Sequence, residues 1–124
     1  MKIAGLSHIM LPSSVQMSAD KSQAYKFADT AIELLVHRME RLGAHVFRIK
    51  AKIAGGAQMF SGVNNSSLAN IGQRNVVAVK QELLRLRIPI IAEDTGKNYG
   101  RTLYFYASDG SMRIKSVNRG EWVW

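Results

Sequence analysis

The hydrophobic positions in the first half of the chain predict a strand, a helix and a second strand. Residues 2–10 form a short apolar run that Pro12 brings to an end, which is typical of a buried strand. From residue 22 or 23, apolar side chains recur at helical spacing as far as Leu42, and Gly43 supplies the C-terminal stop. Residues 45–53 alternate between apolar side chains and Arg or Lys. This alternation predicts a half-buried strand with a basic outer face.

The second half of the chain predicts one more helix, followed by three strands. The helix covers about residues 74–87, and a strand at residues 88–92 follows it directly. Residues 95–100 are rich in turn-forming residues, which predicts a turn. Two short strands at residues 103–107 and 112–117 are separated by Ser-Asp-Gly, so we expect them to form a hairpin.

A charge-free stretch separates the two halves. Residues 53–73 contain no Asp, Glu, Lys or Arg and are rich in Gly, Asn and Ser, which predicts a long loop. Loops of this length are about as often functional as merely mobile. The predicted order is β-α-β-loop-α-β-β-β. It indicates a single domain over residues 1–124, of the α/β or α+β class, with helices on one side of a mixed sheet.

Composition and charge narrow the class of protein further. With 124 residues, 47% hydrophobic and 21% charged, the chain has the composition of one soluble domain with its own core. It shows no secretory signal and no apolar run that could span a membrane, so we expect a cytoplasmic protein that does not insert into membranes. The formal net charge of +8 suits a polyanionic partner. Because the basic residues are scattered and aromatic residues do not interleave with them, a solvated basic surface is favoured over nucleic-acid binding.

The missing cysteine and the spacing of the histidines argue against disulfides, metal sites and a cysteine nucleophile in this chain. The chain has no cysteine, so it supplies no disulfide, thiolate metal site or cysteine nucleophile. Its three histidines, His8, His37 and His45, lack the spacings of metal ligands, and no metal site is predicted. Ser7 precedes His8, but adjacent side chains of a strand point to opposite faces and do not meet. By pattern alone, each histidine is better explained as a structural or surface residue.

Five stretches, taken in order, resemble the CheD family of chemoreceptor glutamine deamidases. Each is weak alone, but five in the right order and spacing are specific, and together they span nearly the whole chain. They are AGLSHIMLP at 4–12, KFADTA at 26–31, AKIAGGAQMF at 51–60, IGQRNV at 71–76, and IAEDTG at 91–96 with Gly100 and Arg101. The resemblance implies a layered α/β fold with helices packed on one side of a β-sandwich core, which agrees with the predicted element order.

The resemblance also implies an activity and its residues. The CheD family hydrolyses the side-chain amide of particular glutamines on methyl-accepting chemoreceptors, and it uses a Cys-His pair without a cofactor. The thiolate attacks the carboxamide carbon, while the imidazole protonates the departing ammonia and then activates water to hydrolyse the thioester. His8 matches the catalytic histidine of the family. Gly55, Gly56 and Ala57 match a motif near the site, where small residues would let a glutamine side chain approach the backbone.

One departure from the family matters more than these matches. The nucleophile of the family lies upstream of the histidine, in a Gly-Ser-Cys segment that this chain does not contain. We expect either an N-terminally truncated protein or a start codon assigned too late, with a natural pseudoenzyme as the alternative. In each case the chain should not run the Cys-His reaction by itself. An incomplete N-terminus should also expose a sheet edge, which favours self-association.

Three functions from different classes therefore remain open. The first is a protein-glutamine deamidase that lacks its nucleophile segment here. The second is a non-catalytic binding module for the CheC phosphatase and receptor helices, both of which the resemblance implies as partners. The third is a basic nucleic-acid-binding domain, which the scattered charge disfavours. Because receptor methylation helices are commonly Glu-rich, the basic surface should steer the chain toward them.

Overall fold

A computed structural model describes residues 2–14, 21–58, 70–117 and 119–124. Two α-helices, α1 and α2, and five strands, β1 to β5, form its frame. In chain order the elements are a 3-10 helix at Lys21–Lys26, α1 at Ala28–Arg41, a 3-10 helix at Val46–Arg48, β1 at Ala51–Gly55, α2 at Ile71–Arg85, β2 at Ile90–Thr95, β3 at Thr102–Tyr106, β4 at Ser111–Ser116 and β5 at Gly120–Val123. The mixed α/β class is confirmed. No helix in the described ranges is long and apolar enough to cross a membrane.

The strands divide between two sheets in the described part of the chain, whereas we predicted one mixed sheet. Strands β1 and β2 pair in parallel, and β3, β4 and β5 form an antiparallel sheet in that order. The predicted hairpin is confirmed as β3–β4, with bounds that differ by one residue. Strand β5 was not predicted, because its four residues, Gly-Glu-Trp-Val, show too little alternation to stand out.

The predicted strand at residues 2–10 is wrong, because this segment has no strand partner in the described structure. Its single bridge joins Leu11 to Phe27. The side chains nevertheless alternate in burial, and Ser7 is half-buried while His8 is exposed. An apolar run specifies which side chains face inward, but a strand also needs a neighbouring backbone to bond with along its length.

Four other elements differ from prediction in their bounds, and one of them is β2, which lies at Ile90–Thr95 rather than at residues 88–92. The first helix divides at the buried Phe27, whose extended backbone separates the 3-10 helix from α1. The predicted strand at residues 45–53 is wrong in its first part, which forms the short 3-10 helix, and β1 begins only at Ala51. Helix α2 begins at Ile71 rather than Arg74. The middle of the predicted charge-free loop, residues 59–69, lies outside the described residues.

The main core lies between the two helices and the parallel sheet. Its buried members are Ile32 and Val36 from α1, Leu83 from α2, and Ile88, which precedes β2. Partly buried residues of β1 and β2, including Ile53 and Ile90, pack against this cluster. Burial of each such side chain contributes about 1.5–3 kcal/mol, so this cluster positions β1 firmly against α2.

Lys52 connects the parallel sheet to the antiparallel one. Its ammonium group donates hydrogen bonds to the carbonyl oxygens of Gly110 and Trp124, both at 2.7 Å. Lys50, two residues earlier, is exposed, as the predicted basic outer face requires. Lys52 departs from that prediction because its long side chain reaches the β3–β4 turn and the end of the chain.

Candidate functional site

His8 is exposed, and the backbone that follows it is held by the first 3-10 helix and by α2. The N–H groups of Met10 and Leu11 donate to the carbonyl oxygen of Lys26, at 2.8 and 2.9 Å. The side-chain amide of Asn75, in the first half of α2, donates to the carbonyl oxygen of Met10 at 3.0 Å. The backbone two residues after His8 is therefore fixed from two sides, while the imidazole faces solvent.

The other end of this segment is bound by a carboxylate at the start of α1. Asp29 accepts hydrogen bonds from the backbone N–H of Ser14 at 3.0 Å and from its hydroxyl at 2.9 Å. The hydroxyl of Ser13 donates to the same carboxylate at 3.4 Å. A negative charge in the first helical turn is also favoured by the helix dipole. Residues 10–14 are thus anchored, and they carry His8 at a defined place beside the two helices.

Gly56 and Gly72 pack against each other and bring β1 close to α2. A Cβ atom on Gly56 would lie 2.3 Å from Cγ2 of Val76, and one on Gly72 would lie 2.5 Å from the carbonyl oxygens of Gly56 and Ala57. Both distances are far below van der Waals contact. The two glycines are therefore required by this close approach.

Gly55 differs from its neighbour, because a Cβ atom there would meet nothing within 4 Å. Its φ of +109° still favours glycine, since other residues rarely adopt that conformation. The side of the chain at Gly55 is open, whereas the side at Gly56 is filled by α2. Of the two glycines, Gly55 is thus the one that leaves room for another molecule.

Replacing Gly56 with alanine should destabilise the protein much more than replacing Gly55. Both Gly56→Ala and Gly55→Ala place a side chain on a backbone with positive φ, +68° and +109° respectively, but only the Cβ at Gly56 would also meet Val76. We expect Gly56→Ala to lower the free energy of unfolding by about 1–3 kcal/mol more than Gly55→Ala, as measured by urea denaturation. Adding Val76→Ala to Gly56→Ala should recover part of the loss, and equal losses for the two single variants would contradict this packing.

A buried ion pair supports the backbone next to Gly55. The carbonyl oxygen of Gly55 accepts a hydrogen bond from the N–H of Gly96 at 2.9 Å. Arg101 donates to the carbonyl oxygen of Gly96 at 3.1 Å and to the carboxylate of Asp94, also at 3.1 Å. The same carboxylate oxygen accepts the indole N–H of Trp122 at 3.0 Å. The Gly55 carbonyl is thereby held by Gly96 in the turn between β2 and β3. That turn is itself held by Arg101, Asp94 of β2 and Trp122 of β5.

Two buried polar atoms near this region have no hydrogen-bond partner in the described part of the structure. They are the hydroxyl oxygen of Ser7 and the amide oxygen of Asn75. Ser7 lines a largely apolar cavity of about 540 Å³ between residues 2–9, α1, β1 and β3, and His8 is not among the lining residues. The cavity is therefore separate from the exposed side of His8.

Hydrogen bonds around β2 shift the pKa of Glu93. The Thr95 hydroxyl donates to the carboxylate of Glu93 at 2.8 Å, and this hydrogen bond, with a second from Lys80 at 3.1 Å, lowers the pKa of Glu93 below its usual value. Glu93 is exposed at the surface, so the effect on stability is small. In the described ranges, no three His, Asp or Glu side chains come together as a metal site would require.

Comparison with known proteins identifies the family of the chain. A family model described as CheD chemotactic sensory transduction matches residues 10–116, which include Asn75, Gly56, Gly72 and the Asp94–Arg101 pair. The chain belongs to the CheD family. It is 55% identical over 119 residues to a probable chemoreceptor glutamine deamidase CheD of Caldanaerobacter subterraneus subsp. tengcongensis, covering 96% of this chain and 73% of that protein.

Two further relatives give the same result. The chain is 48% identical over 120 residues to the chemoreceptor glutamine deamidase CheD of Halalkalibacterium halodurans, covering 97% of this chain and 74% of that protein. It is 52% identical over 118 residues to a probable chemoreceptor glutamine deamidase CheD of Clostridium botulinum, covering 95% of this chain and 72% of that protein. The resemblance inferred from five motifs is confirmed, and so is the connection of the family with chemotaxis.

Two residues of this CheD chain were missed as site residues, although both lie in the quoted motif at 71–76. Gly72 and Asn75 are three residues apart and so lie on the same face of α2. Gly72 contacts Gly56 and Ala57, and Asn75 contacts the His8 segment. Gly72 fell within the predicted charge-free loop, just before the predicted start of the helix, so no helical pattern marked it. The first two turns of α2 therefore contact both the segment that carries His8 and the motif at residues 55–57.

Proposed function

We propose that this CheD chain belongs to a protein-glutamine deamidase that converts glutamine side chains of methyl-accepting chemoreceptors to glutamate during chemotactic adaptation. The observation that carries the proposal is the family match together with the exposed imidazole of His8 on an anchored segment. The chain supplies the histidine half of a Cys-His mechanism. The cysteine half is not among its residues.

Each predicted site residue has a separate role in this proposal. An imidazole acts as acid and then as base near neutral pH, so His8 would protonate the departing ammonia and later activate water. The open side of Gly55 would admit the glutamine carboxamide, while Gly56 and Ala57 would hold the backbone there against α2. A thiolate from the Gly-Ser-Cys segment of the family would attack the carboxamide carbon. No group of this chain takes the place of that thiolate.

The direct test is an ammonia-release assay with this chain alone and a glutamine-bearing receptor fragment. We expect no release above background, because the chain has no cysteine and the half-buried hydroxyl of Ser7 lies away from the solvent-facing imidazole of His8. The same fragment should bind the chain, and the binding should weaken with added salt because the formal net charge is +8. Ammonia release by the purified chain would disprove the requirement for the cysteine.

The second candidate is a non-catalytic module that binds the CheC phosphatase and receptor helices, a role that requires no cysteine. Coding DNA upstream of Met1 distinguishes the two: an in-frame Gly-Ser-Cys supports the deamidase, and its absence supports the binding module. In both cases we propose a cytoplasmic protein with a layered CheD-like fold. Strand β3 lies at the edge of its sheet, so we also propose self-association through a strand edge.

A further inference from the structure

The turn that follows α1 presents apolar and basic side chains together. Phe47 is 89% exposed, the highest value among the large apolar side chains described, and Leu42 at the end of α1 is 67% exposed. Arg41, Arg48 and Lys50 are exposed in the same stretch. We call residues 41–50 the apolar–basic turn.

The backbone of this turn fixes which side chains face solvent. The N–H of Arg48 donates to the carbonyl oxygen of His45 at 2.9 Å, and that of Ile49 donates to Val46 at 3.1 Å. Residues three apart in a 3-10 helix share one face, and Val46 and Ile49 both pack against the main core. Phe47 is therefore held outward by the packing of its neighbours.

The positive charges of this turn have no carboxylate partner among the described residues. Arg41, Arg48 and Lys50 form no salt bridge with any described residue, whereas Arg85, Arg101 and Arg113 elsewhere are paired with carboxylates. Glu40 is the one acidic residue between positions 38 and 50. The turn thus combines protruding apolar side chains with cations that attract an anionic partner.

We propose that the apolar–basic turn binds an anionic lipid surface, with Phe47 and Leu42 entering the headgroup region and the three cations contacting lipid phosphates. Membrane-surface binding requires this combination of buried apolar area and juxtaposed Lys or Arg. Phe47 protrudes and does not line the cavity beside it. A lipid interface accepts a protruding side chain without a matching pocket, whereas a protein partner must provide one. The proposal is independent of the deamidase mechanism.

Vesicle co-sedimentation tests this binding with the whole chain. We expect it to bind vesicles of phosphatidylcholine with phosphatidylglycerol about a hundredfold more tightly than vesicles of phosphatidylcholine alone, since each of the three cations contributes about 1 kcal/mol, or about fivefold, near an anionic surface. Phe47→Ser should weaken binding to the anionic vesicles about tenfold. The matched control is Val117→Ser, because Val117 is 84% exposed outside this turn and should have no effect.

A second pair of variants tests the charge. Lys50→Gln should weaken binding to anionic vesicles about fivefold, whereas Lys97→Gln, at an exposed lysine in the turn after β2, should leave it unchanged. All four positions are exposed, so thermal unfolding should be unaltered. Equal binding to neutral and anionic vesicles, or full binding by Phe47→Ser, would overturn the proposal. Displacement of the vesicles by a soluble Glu-rich peptide, with the same dependence on Phe47, would overturn it in favour of a protein partner.

Discussion

Joining a Gly-Ser-Cys segment to the N-terminus of this chain is expected to produce glutamine deamidase activity that depends on His8. The donor is the Gly-Ser-Cys segment that the resemblance to the CheD family places upstream of the histidine. In such a fusion, His8→Asn should lower kcat about 10²–10⁴-fold, the usual contribution of general acid–base catalysis. Ammonia release from a glutamine-bearing receptor fragment measures it.

Two matched controls separate catalysis from folding in this experiment. His37→Asn and His45→Asn replace exposed histidines elsewhere and should leave kcat unchanged. Because the His8 side chain is exposed and the anchoring bonds of its segment come from residues 10–14, His8→Asn should leave thermal unfolding nearly unchanged. If the fusion stays active after His8→Asn, another group is the acid–base catalyst. If the fall is only in affinity, with kcat intact, His8 binds substrate and does not react.

Replacing Asp94 with alanine should destabilise the protein by about 3–5 kcal/mol, because it leaves a buried guanidinium without a counter-charge. The Arg101 side chain is 3% exposed and that of Asp94 is 13% exposed. The variant also removes the acceptor of the Trp122 indole N–H. Urea denaturation measures the loss, and the change should be a shift in midpoint with little change in slope.

The neighbouring carboxylate provides the control for this variant. Glu93 pairs with Lys80 at the surface, so Glu93→Ala should cost no more than about 1 kcal/mol. Combining Asp94→Ala with Arg101→Met should recover much of the loss, since an apolar replacement of both partners removes the unpaired charge. A loss for Asp94→Ala no larger than for Glu93→Ala would show that Arg101 finds other partners, such as the carbonyl oxygen of Gly96.

Helix α2 shows how far local pattern extends. Apolar spacing predicted its body, but placed its start at about Arg74, because the charge-free stretch interpreted as a loop extends to Gln73. The first turn is stable in the structure because Gly72 packs on the backbone of Gly56 and Ala57. That contact joins residues far apart in the chain, and no local preference reports it.

Some residues of the candidate site were predicted from the sequence, and others were not. The motifs identified His8, Gly55, Gly56 and Ala57 as candidates. The family model covers the last three but begins at residue 10, after His8, and all four roles stay proposals. Asn75 could not be recognised from sequence, because its role depends on the carbonyl oxygen of Met10 lying beside α2. A hydrogen bond between distant elements exists only once both have been placed.

The amino-acid sequence by itself determined the CheD family, the mixed α/β class, the body of each helix and the absence of a cysteine nucleophile. These depend on residue identity and on periodicity within one element, which short-range chemistry specifies. Only the tertiary structure decided that residues 2–10 form no strand, that the strands divide between two sheets, and that Gly56 serves packing while Gly55 stays open. These depend on which backbones lie side by side, and that is settled by packing across the whole chain.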